Sequence, residues 1–309
     1  MEEYKKEECI KPTSLNNRCI AIIDSSFDER TSSEIKKGID YLKKSGFKVL
    51  ERNYIYKKYP PTLKGYKIRA SLINKLFTKK SIGAMICKTG GFGAEYILKF
   101  LNYKLIKKNP KMICGYSDNT SILLHLHDKE KMVVFHGPHL ISGLSNKITR
   151  KYLTKIFSEK YFPIKIKLKS FQSWKKGRVT GKVWGGCLST MFDYISSNPN
   201  ANFKDKILFI EEGYESADYL KNILNQLHKI GVYKKIKGML IGRFLHISEN
   251  ELYELKQAIL NYLKNKDIPV LYGFKSGHGK EKIILPFGTE VTVDATEKRV
   301  IYEEFPFEK

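Results

Sequence analysis

Ser117, His278 and the neighbouring carboxylates Glu211 and Glu212 are the residues whose types and settings suit acyl transfer. A serine hydroxyl attacks a carbonyl when a base removes its proton and a carboxylate orients that base. Ser117 follows an apolar run, Met112-Ile113-Cys114, and Gly115. A helical pattern comes next, opened by Asp118 or Asn119 and continued by Ile122, Leu123, Leu124 and Leu126. This spacing puts Ser117 on a tight strand-to-helix bend, its hydroxyl beside the positive end of a helix dipole. The sequence is not the G-x-S-x-G form of a nucleophile elbow, and Ser-Asp-Asn read alone serves equally as a helix cap.

Of the 7 histidines, His125 and His127 fall inside the helix after Ser117 and His228 near the end of another, which suits surface or packing roles. His136 and His139 flank Gly137-Pro138 just after a strand, where they would line a cleft structurally. His278 sits in Ser276-Gly277-His278-Gly279, a loop with no apolar periodicity to account for it, and loops carry function disproportionately. Glu211 and Glu212 end the apolar run Ile207-Leu208-Phe209-Ile210. A carboxylate at the tip of a buried strand needs a partner, because uncompensated burial of charge is costly. The competing role, an acid favouring the dipole of the following helix, applies to Glu212 and Glu215. Glycoside hydrolysis fits poorly, since adjacent residues on a strand point to opposite faces. Thr89-Gly90-Gly91-Phe92-Gly93 lets backbone N–H groups turn into a cleft, as an oxyanion hole requires. It matches neither nucleotide-binding glycine pattern.

These residues need elements to position them. Arg18 to Asp24, Phe47 to Leu50, Ile82 to Cys87, the run before Ser117 and Met132 to Phe135 read as strands. Helical patterns lie at Ser32 to Ser45, Leu63 to Phe77 and after Gly93. Such alternation implies a parallel sheet covered by helices on both faces, with ligands beyond the carboxyl ends of the strands. Gly90-Gly91 and Ser117 both fall at such ends. The lysine-rich stretch 146–176 reads as a linker between an N-terminal domain, 1–145, and a C-terminal one, 177–309. In the latter, Gly177 to Trp184 is a strand, Gly185-Gly186 a turn and Cys187 to Ser196 a helix. Lys206 to Ile210, Gly238 to Phe244 and Pro269 to Tyr272 are further strands, and short β segments follow from Lys282 onward.

The 309 residues, 42% hydrophobic, suffice for a sizeable core and more than one domain. No apolar run reaches membrane-spanning length, and the charged start Met1 to Pro12 lacks the apolar core of a signal peptide. A cytoplasmic protein is expected, not a membrane one. The 5 cysteines, Cys9, Cys19, Cys87, Cys114 and Cys187, contain no C-x-x-C pair and read as free thiols, with no zinc site or disulfide framework. The net charge of +24 is spread as lysine over nearly every segment. No nucleic-acid motif accompanies it, so a nucleic-acid partner is not expected.

Taken together, six segments resemble the serine LD-carboxypeptidases, a family that includes muramoyltetrapeptide carboxypeptidases and microcin C immunity proteins. They are Thr89-Gly90-Gly91-Phe92-Gly93-Ala94, Gly115-Tyr116-Ser117-Asp118, Phe135-His136-Gly137-Pro138, Gly185-Gly186 with Leu188-Ser189, Phe209-Ile210-Glu211-Glu212, and Gly277-His278 ahead of Leu285-Pro286-Phe287-Gly288. The resemblance is collinear from about Cys19 to Tyr302. It implies an α/β fold: a flavodoxin-like parallel-sheet N-terminal domain and a smaller C-terminal α/β domain of mixed strands. It further implies Ser117 as nucleophile, His278 as general base and Glu211, rather than Glu212, as the orienting carboxylate. Backbone donors at Gly91 and Asp118 would form the oxyanion hole. The implied substrate is a muropeptide or another peptide-like small molecule, cleaved between the domains of a homodimer without metal or cofactor. Gly90 is a candidate substrate contact. Arg243 and Lys88 are candidate partners for a substrate carboxylate. In the immunity branch an aromatic residue would stack on adenine, with Trp184 and Trp174 as candidates.

Overall fold

Five of the apolar runs become parallel strands of one sheet. They are β1 (Cys19–Ile23), β2 (Val49–Leu50), β3 (Ile82–Cys87), β4 (Met112–Gly115) and β5 (Val134–His136), in the order β2-β1-β3-β4-β5. The computed structural model describes residues 8–15, 17–29, 32–199 and 201–308, so residues 1–7 of the charged start lie outside the described residues. Every residue of β3 and β4 is buried, as strands covered on both faces require. The helix expected after Gly93 is broken into Ala94–Ile97, a 3₁₀ turn at Leu98–Phe100, and Tyr103–Lys108, whose start is capped by Asn102.

A second sheet holds β6 (Ile164–Ile166), β7 (Gln172–Lys175), β8 (Arg178–Cys187), β9 (Ile207–Glu212), β10 (Gly238–Phe244), β11 (Val270–Tyr272), β13 (Glu290–Asp294) and β14 (Arg299–Tyr302). Its order is β6-β14-β13-β8-β9-β10-β11-β7. The strands β8 to β11 run parallel, and antiparallel strands flank them on both sides, which makes the sheet mixed. Between β11 and β13 the chain returns to the first sheet, where β12 (Leu285–Phe287) pairs antiparallel with β5.

The stretch expected as a linker, 146–176, is regular structure instead. The side chain of Asn146 accepts from the N–H groups of Ile148 and Thr149 at 2.8 and 3.4 Å and starts the helix Lys147–Ile156. Then β6 and β7 form the two edges of the second sheet. In β6, exposed Lys165 lies between buried Ile164 and Ile166, and lysine on an edge strand discourages pairing with other chains. Strands this short give too few alternations to stand out in a lysine-rich segment.

Gly185 and Gly186 do not form a turn either. They lie within β8 at φ +139° and +143°. A Cβ on Gly185 would meet the Phe209 carbonyl oxygen at 1.9 Å, and one on Gly186 would meet Thr120 Cγ2 at 2.5 Å. These glycines let β9 and the helix Thr120–Glu130 close in on β8. That helix is buried from Thr120 through His127 and touches β4 and β5 as well as β8 and the helix Leu188–Ser197. Buried on all sides over these eight residues, it lies between the two sheets. Near its end Asp128 accepts from Trp184 Nε1 at 2.9 Å and from the Tyr194 hydroxyl at 3.1 Å. Among the described residues no helix is long and apolar enough to cross a membrane.

Candidate active site

Ser117 is half-buried and takes φ +59° between β4 and the helix Thr120–Glu130. A left-handed conformation costs a residue with a Cβ about 1–2 kcal/mol, so neighbours must hold it. Asn119 does much of this. Its Nδ2 donates to the Thr89 carbonyl at 2.8 Å, and its Oδ1 accepts from the hydroxyls of Ser25 and Ser26 beyond β1. Asn119 Nδ2 lies 3.0 Å from His139 Nε2, and the Tyr116 N–H donates to that nitrogen at 3.2 Å. The Tyr116 and His139 rings stack with centroids 4.0 Å apart. From the sequence Asn119 reads only as a possible helix start, and no local signal ties it to Ser25 and Ser26.

His278 reaches the site from the loop before β12. Its Nδ1 lies 2.9 Å from Glu211 Oε2, and its backbone N–H donates to the same oxygen at 2.8 Å. Glu211 is fully buried. Gly277 (φ +85°) allows this approach, because a Cβ there would sit 2.1 Å from Glu211 Cδ. Burial pulls the His278 pKa down, but the Glu211 charge and hydrogen bond, aided by Glu212, raise it above the ordinary histidine value. On the other side of the carboxylate, Glu211 Oε1 lies 3.7 Å from His136 Nε2, and neither atom has a hydrogen bond among the described residues. Burial, with His278 and Lys282 nearby, holds His136 neutral with a pKa of about 3. Its Nδ1 is 2.9 Å from Ser276 Oγ.

Glu212 takes other hydrogen-bond partners. Its Oε2 accepts from the Ser189 N–H at 3.1 Å, the Ser189 hydroxyl at 2.7 Å and the Cys187 thiol at 3.3 Å, while Oε1 accepts from the Gly213 N–H at 2.8 Å. It therefore caps the helix Leu188–Ser197. The two neighbouring glutamates of β9 thus take different hydrogen-bond partners, Glu211 the His278 ring and backbone and Glu212 the start of that helix, while a Glu212 oxygen stays within 4.8 Å of a His278 ring nitrogen.

The ring of Tyr116, next to Ser117, meets the His278 ring edge-to-face at 5.0 Å, which brings the bend and the histidine to one place. Among the described residues Ser117 Oγ forms no hydrogen bond with His278; such contacts are often loose before substrate binds. Gly90 lies against the serine: a Cβ there would come within 3.2 Å of Ser117 Cβ and 3.1 Å of His139 Cε1. Gly91 (φ +118°) packs on Phe27, where a Cβ would sit 2.1 Å from the carbonyl oxygen. Asp118 Oδ2 accepts from the Ala94 N–H at 3.0 Å and so ties the glycine loop to the bend. Burial lifts its carboxyl to about 6, against hydrogen bonds from Ser26 and Ala94. A cavity of about 280 Å³ opens beside it, lined by Phe92, Tyr96, Asp118, Ser121, Asp193 and others. Lys282, not singled out from the sequence, lies over the Tyr116 ring at 4.9 Å, and burial pulls its pKa to about 8.

Other expected residues are placed differently. Trp184 is fully buried against Tyr194 and Phe203, and its N–H is spent on Asp128, so it is packing and not a substrate contact. Trp174 is also buried, stacked on Tyr272 at 4.6 Å. Lys88 is held by Asp24 at 2.7 Å. Arg243 is half-buried in β10; burial raises the Tyr272 pKa with the Arg243 charge opposing it, and Glu281 is lowered chiefly by its hydrogen bond to Lys275, with Arg243 adding to that. His125 and His127 are buried, and His228 stacks on Tyr262 at 4.6 Å.

An α/β protein with a parallel first sheet and a mixed second one is also what related solved structures show. One determined of MccF in complex with glutamyl sulfamoyl guanosine superposes with a TM-score of 0.85, covering 98% of this chain and 100% of that one at 24% identity. An MccF-like protein from Streptococcus pneumoniae in complex with AMP gives 0.80 at 21% identity, covering 93% and 99%. Sequence profiles of the LD-carboxypeptidase N-terminal and C-terminal domains match residues 20–137 and 180–293. The chain belongs to the LD-carboxypeptidase family, the S66 peptidases. A probable murein peptide carboxypeptidase of Bacillus subtilis is 28% identical over 242 residues, 76% of each chain. The microcin C7 self-immunity protein MccF of Escherichia coli is 27% identical over 304 residues, 87% of each.

Proposed function

We propose that the protein is a serine LD-carboxypeptidase that releases a terminal D-amino acid, D-alanine, from muropeptide tetrapeptides in the cytoplasm. The observation that carries this reading is the 2.9 Å contact between His278 Nδ1 and the buried Glu211, beside the strained bend bearing Ser117. With Nδ1 engaged, Nε2 is left to take the serine proton. Ser117 Oγ attacks the carbonyl joining an L-configured centre to the terminal D-residue. The tetrahedral oxygen is held by the backbone N–H groups of Gly91 and Asp118, and losing one such donor costs about 2.7–4 kcal/mol. Protonated His278 gives its proton to the leaving amine, and water then clears the acyl-enzyme. Gly90 forms the floor under the reacting carbonyl. The substrate carboxylate is met by a cation, with Arg243 and Lys282 as the candidates. The working unit is a homodimer.

A second reading, hydrolysis of an aminoacyl or peptidyl adenylate conjugate, is favoured by Tyr214. This side chain is 75% exposed and meets the His278 ring edge-on at 5.2 Å, so it offers a face for a nucleobase where neither tryptophan does. Incubating the protein with a muramoyl tetrapeptide and with an aminoacyl sulfamoyl adenosine, read by mass spectrometry, separates the two. Loss of D-alanine from the first supports the carboxypeptidase reading. Cleavage of the second alone supports the other, and cleavage of neither refutes both.

A further inference from the structure

We propose that Cys187, Glu212 and His278 form a binding site for a thiophilic divalent cation of the zinc type, whose occupancy arrests the hydrolase. Cys187 ends β8 opposite Glu211 of the neighbouring parallel strand β9, and the next residue of β9, Glu212, takes the Cys187 thiol as a hydrogen-bond donor at 3.3 Å. The loop carrying His278 closes over both. One ligand atom from each, the thiol sulfur, a carboxylate oxygen and a ring nitrogen, lie within 4.8 Å of one another, and all three residues are buried.

The geometry is close to what a tetrahedral cation requires. Zinc binds sulfur at about 2.3 Å and nitrogen or oxygen at about 2.0–2.2 Å, which puts its ligands roughly 3.3–3.8 Å apart. Cys187 Sγ and Glu212 Oε2 already stand 3.3 Å apart, and the separations to the histidine nitrogen, at most 4.8 Å, need contract by about 1.5 Å or less. A thiolate, an imidazole and a carboxylate together favour zinc, cobalt or cadmium over magnesium or calcium, and three protein ligands leave a fourth position open.

The chemistry balances without a further reactant. As the sulfur–metal bond forms, the thiol S–H bond breaks and its proton goes to solvent. Glu212 Oε2 thereby loses one of its three donors and gains the metal in its place, keeping the N–H and hydroxyl of Ser189. An imidazole whose lone pair is given to a metal cannot accept the Ser117 proton. That consequence rests on His278 being the base, whereas the binding site does not.

Cobalt(II) titration of the Ser117→Ala protein tests the site without using activity. The expected result is one equivalent bound, with a near-ultraviolet thiolate-to-cobalt charge-transfer band that zinc displaces. The band should persist in a Cys9→Ser/Cys19→Ser double variant and vanish in Cys187→Ser. No band, or a band unchanged by Cys187→Ser, overturns the proposal. X-ray absorption of the zinc-loaded protein needs no cysteine variant, and so covers the case in which Cys187→Ser does not fold. One sulfur at about 2.3 Å with nitrogen or oxygen neighbours supports the site, and a shell without sulfur refutes it. With a turned-over substrate in hand, zinc should inhibit the wild type, and Cys187→Ser should raise the inhibitory concentration by about 100-fold or more. Equal inhibition of the two overturns the regulatory claim. A protein that binds cobalt through Cys187 but hydrolyses neither substrate would refute the proposed function and leave the site standing.

Discussion

Replacing Glu211 by glutamine removes one charge from a fully buried position and changes little else in shape. In the wild type a single oxygen, Oε2, takes the His278 ring at 2.9 Å and its backbone N–H at 2.8 Å. Hydrogen bonds to an ionised group contribute about 1.5–3 kcal/mol each. Glutamine keeps one acceptor oxygen but no charge, and its amide N–H₂ can hold the imidazole in the wrong tautomer. The Glu211 charge and hydrogen bond are what lift the His278 pKa, while burial opposes them. Without them burial wins, and the histidine protonates only at lower pH. The acid limb of kcat/KM should therefore move to lower pH in Glu211→Gln. On the precedent of triads deprived of their carboxylate charge, kcat should fall by about 10⁴-fold. The assay is D-alanine release followed from about pH 5 to pH 9, where histidine titration shapes the profile, with thermal unfolding as the check on folding. A folded variant whose acid limb stays put or moves up, with kcat within about tenfold of wild type, would refute the pairing as the source of the base.

Three further outcomes follow from the packing. Trp184→Phe removes a hydrogen bond to Asp128 and leaves space against Tyr194 and Phe203, so unfolding free energy should drop by about 2–3 kcal/mol with KM unchanged; a raised KM with unchanged stability would return Trp184 to the substrate site. Glu212→Gln weakens the cap on Leu188–Ser197 and should cost about 1–2 kcal/mol in denaturant unfolding; no loss would contradict the capping role. Burial lowers the pKa of His125, His127 and His136 to about 4, 3 and 3, so below the unfolded value of about 6.5 the unfolded chain binds more protons than the native one. Their contribution is intact above that pH and is lost on acidification, at up to about 1.4 kcal/mol per pH unit for each. Asp24, Asp118 and Asp128, raised mainly by burial, act with the opposite sign and soften the slope. Urea midpoints should decline as pH falls from about 6.5 towards 4, and a midpoint that rises over that range would contradict the assignment.

Much of the scaffold was legible because its signals are local. Leu63–Phe77, Ile82–Cys87 and Gly238–Phe244 begin and end where apolar spacing and turn residues put them. His278 stood out because no periodicity accounted for a histidine in that loop, and Ser117 because a strand, a glycine and a helix start converge on it. What stayed hidden depends on closeness in space. Asn119 is held by Ser25 and Ser26, more than 90 residues away, and His136 lies 3.7 Å from a carboxylate on another sheet. Gly185-Gly186 looked like a turn because paired glycines usually mark one. Here they make room for β9 and a helix, a constraint that no local pattern records. Trp184 looked like a ligand contact because it adjoins those glycines, yet the strand points its ring into the core. The choice between Glu211 and Glu212 required knowing which face of β9 meets the His278 loop.

In the proposed mechanism Ser117 Oγ is the nucleophile that takes the acyl group. The most direct test is release of D-alanine from a muramoyl tetrapeptide by wild type and by Ser117→Ala, with thermal unfolding of both. Turnover by the wild type is expected, with a loss of at least about 10³-fold in a variant that unfolds at the same temperature. Turnover by Ser117→Ala at the wild-type rate would contradict it.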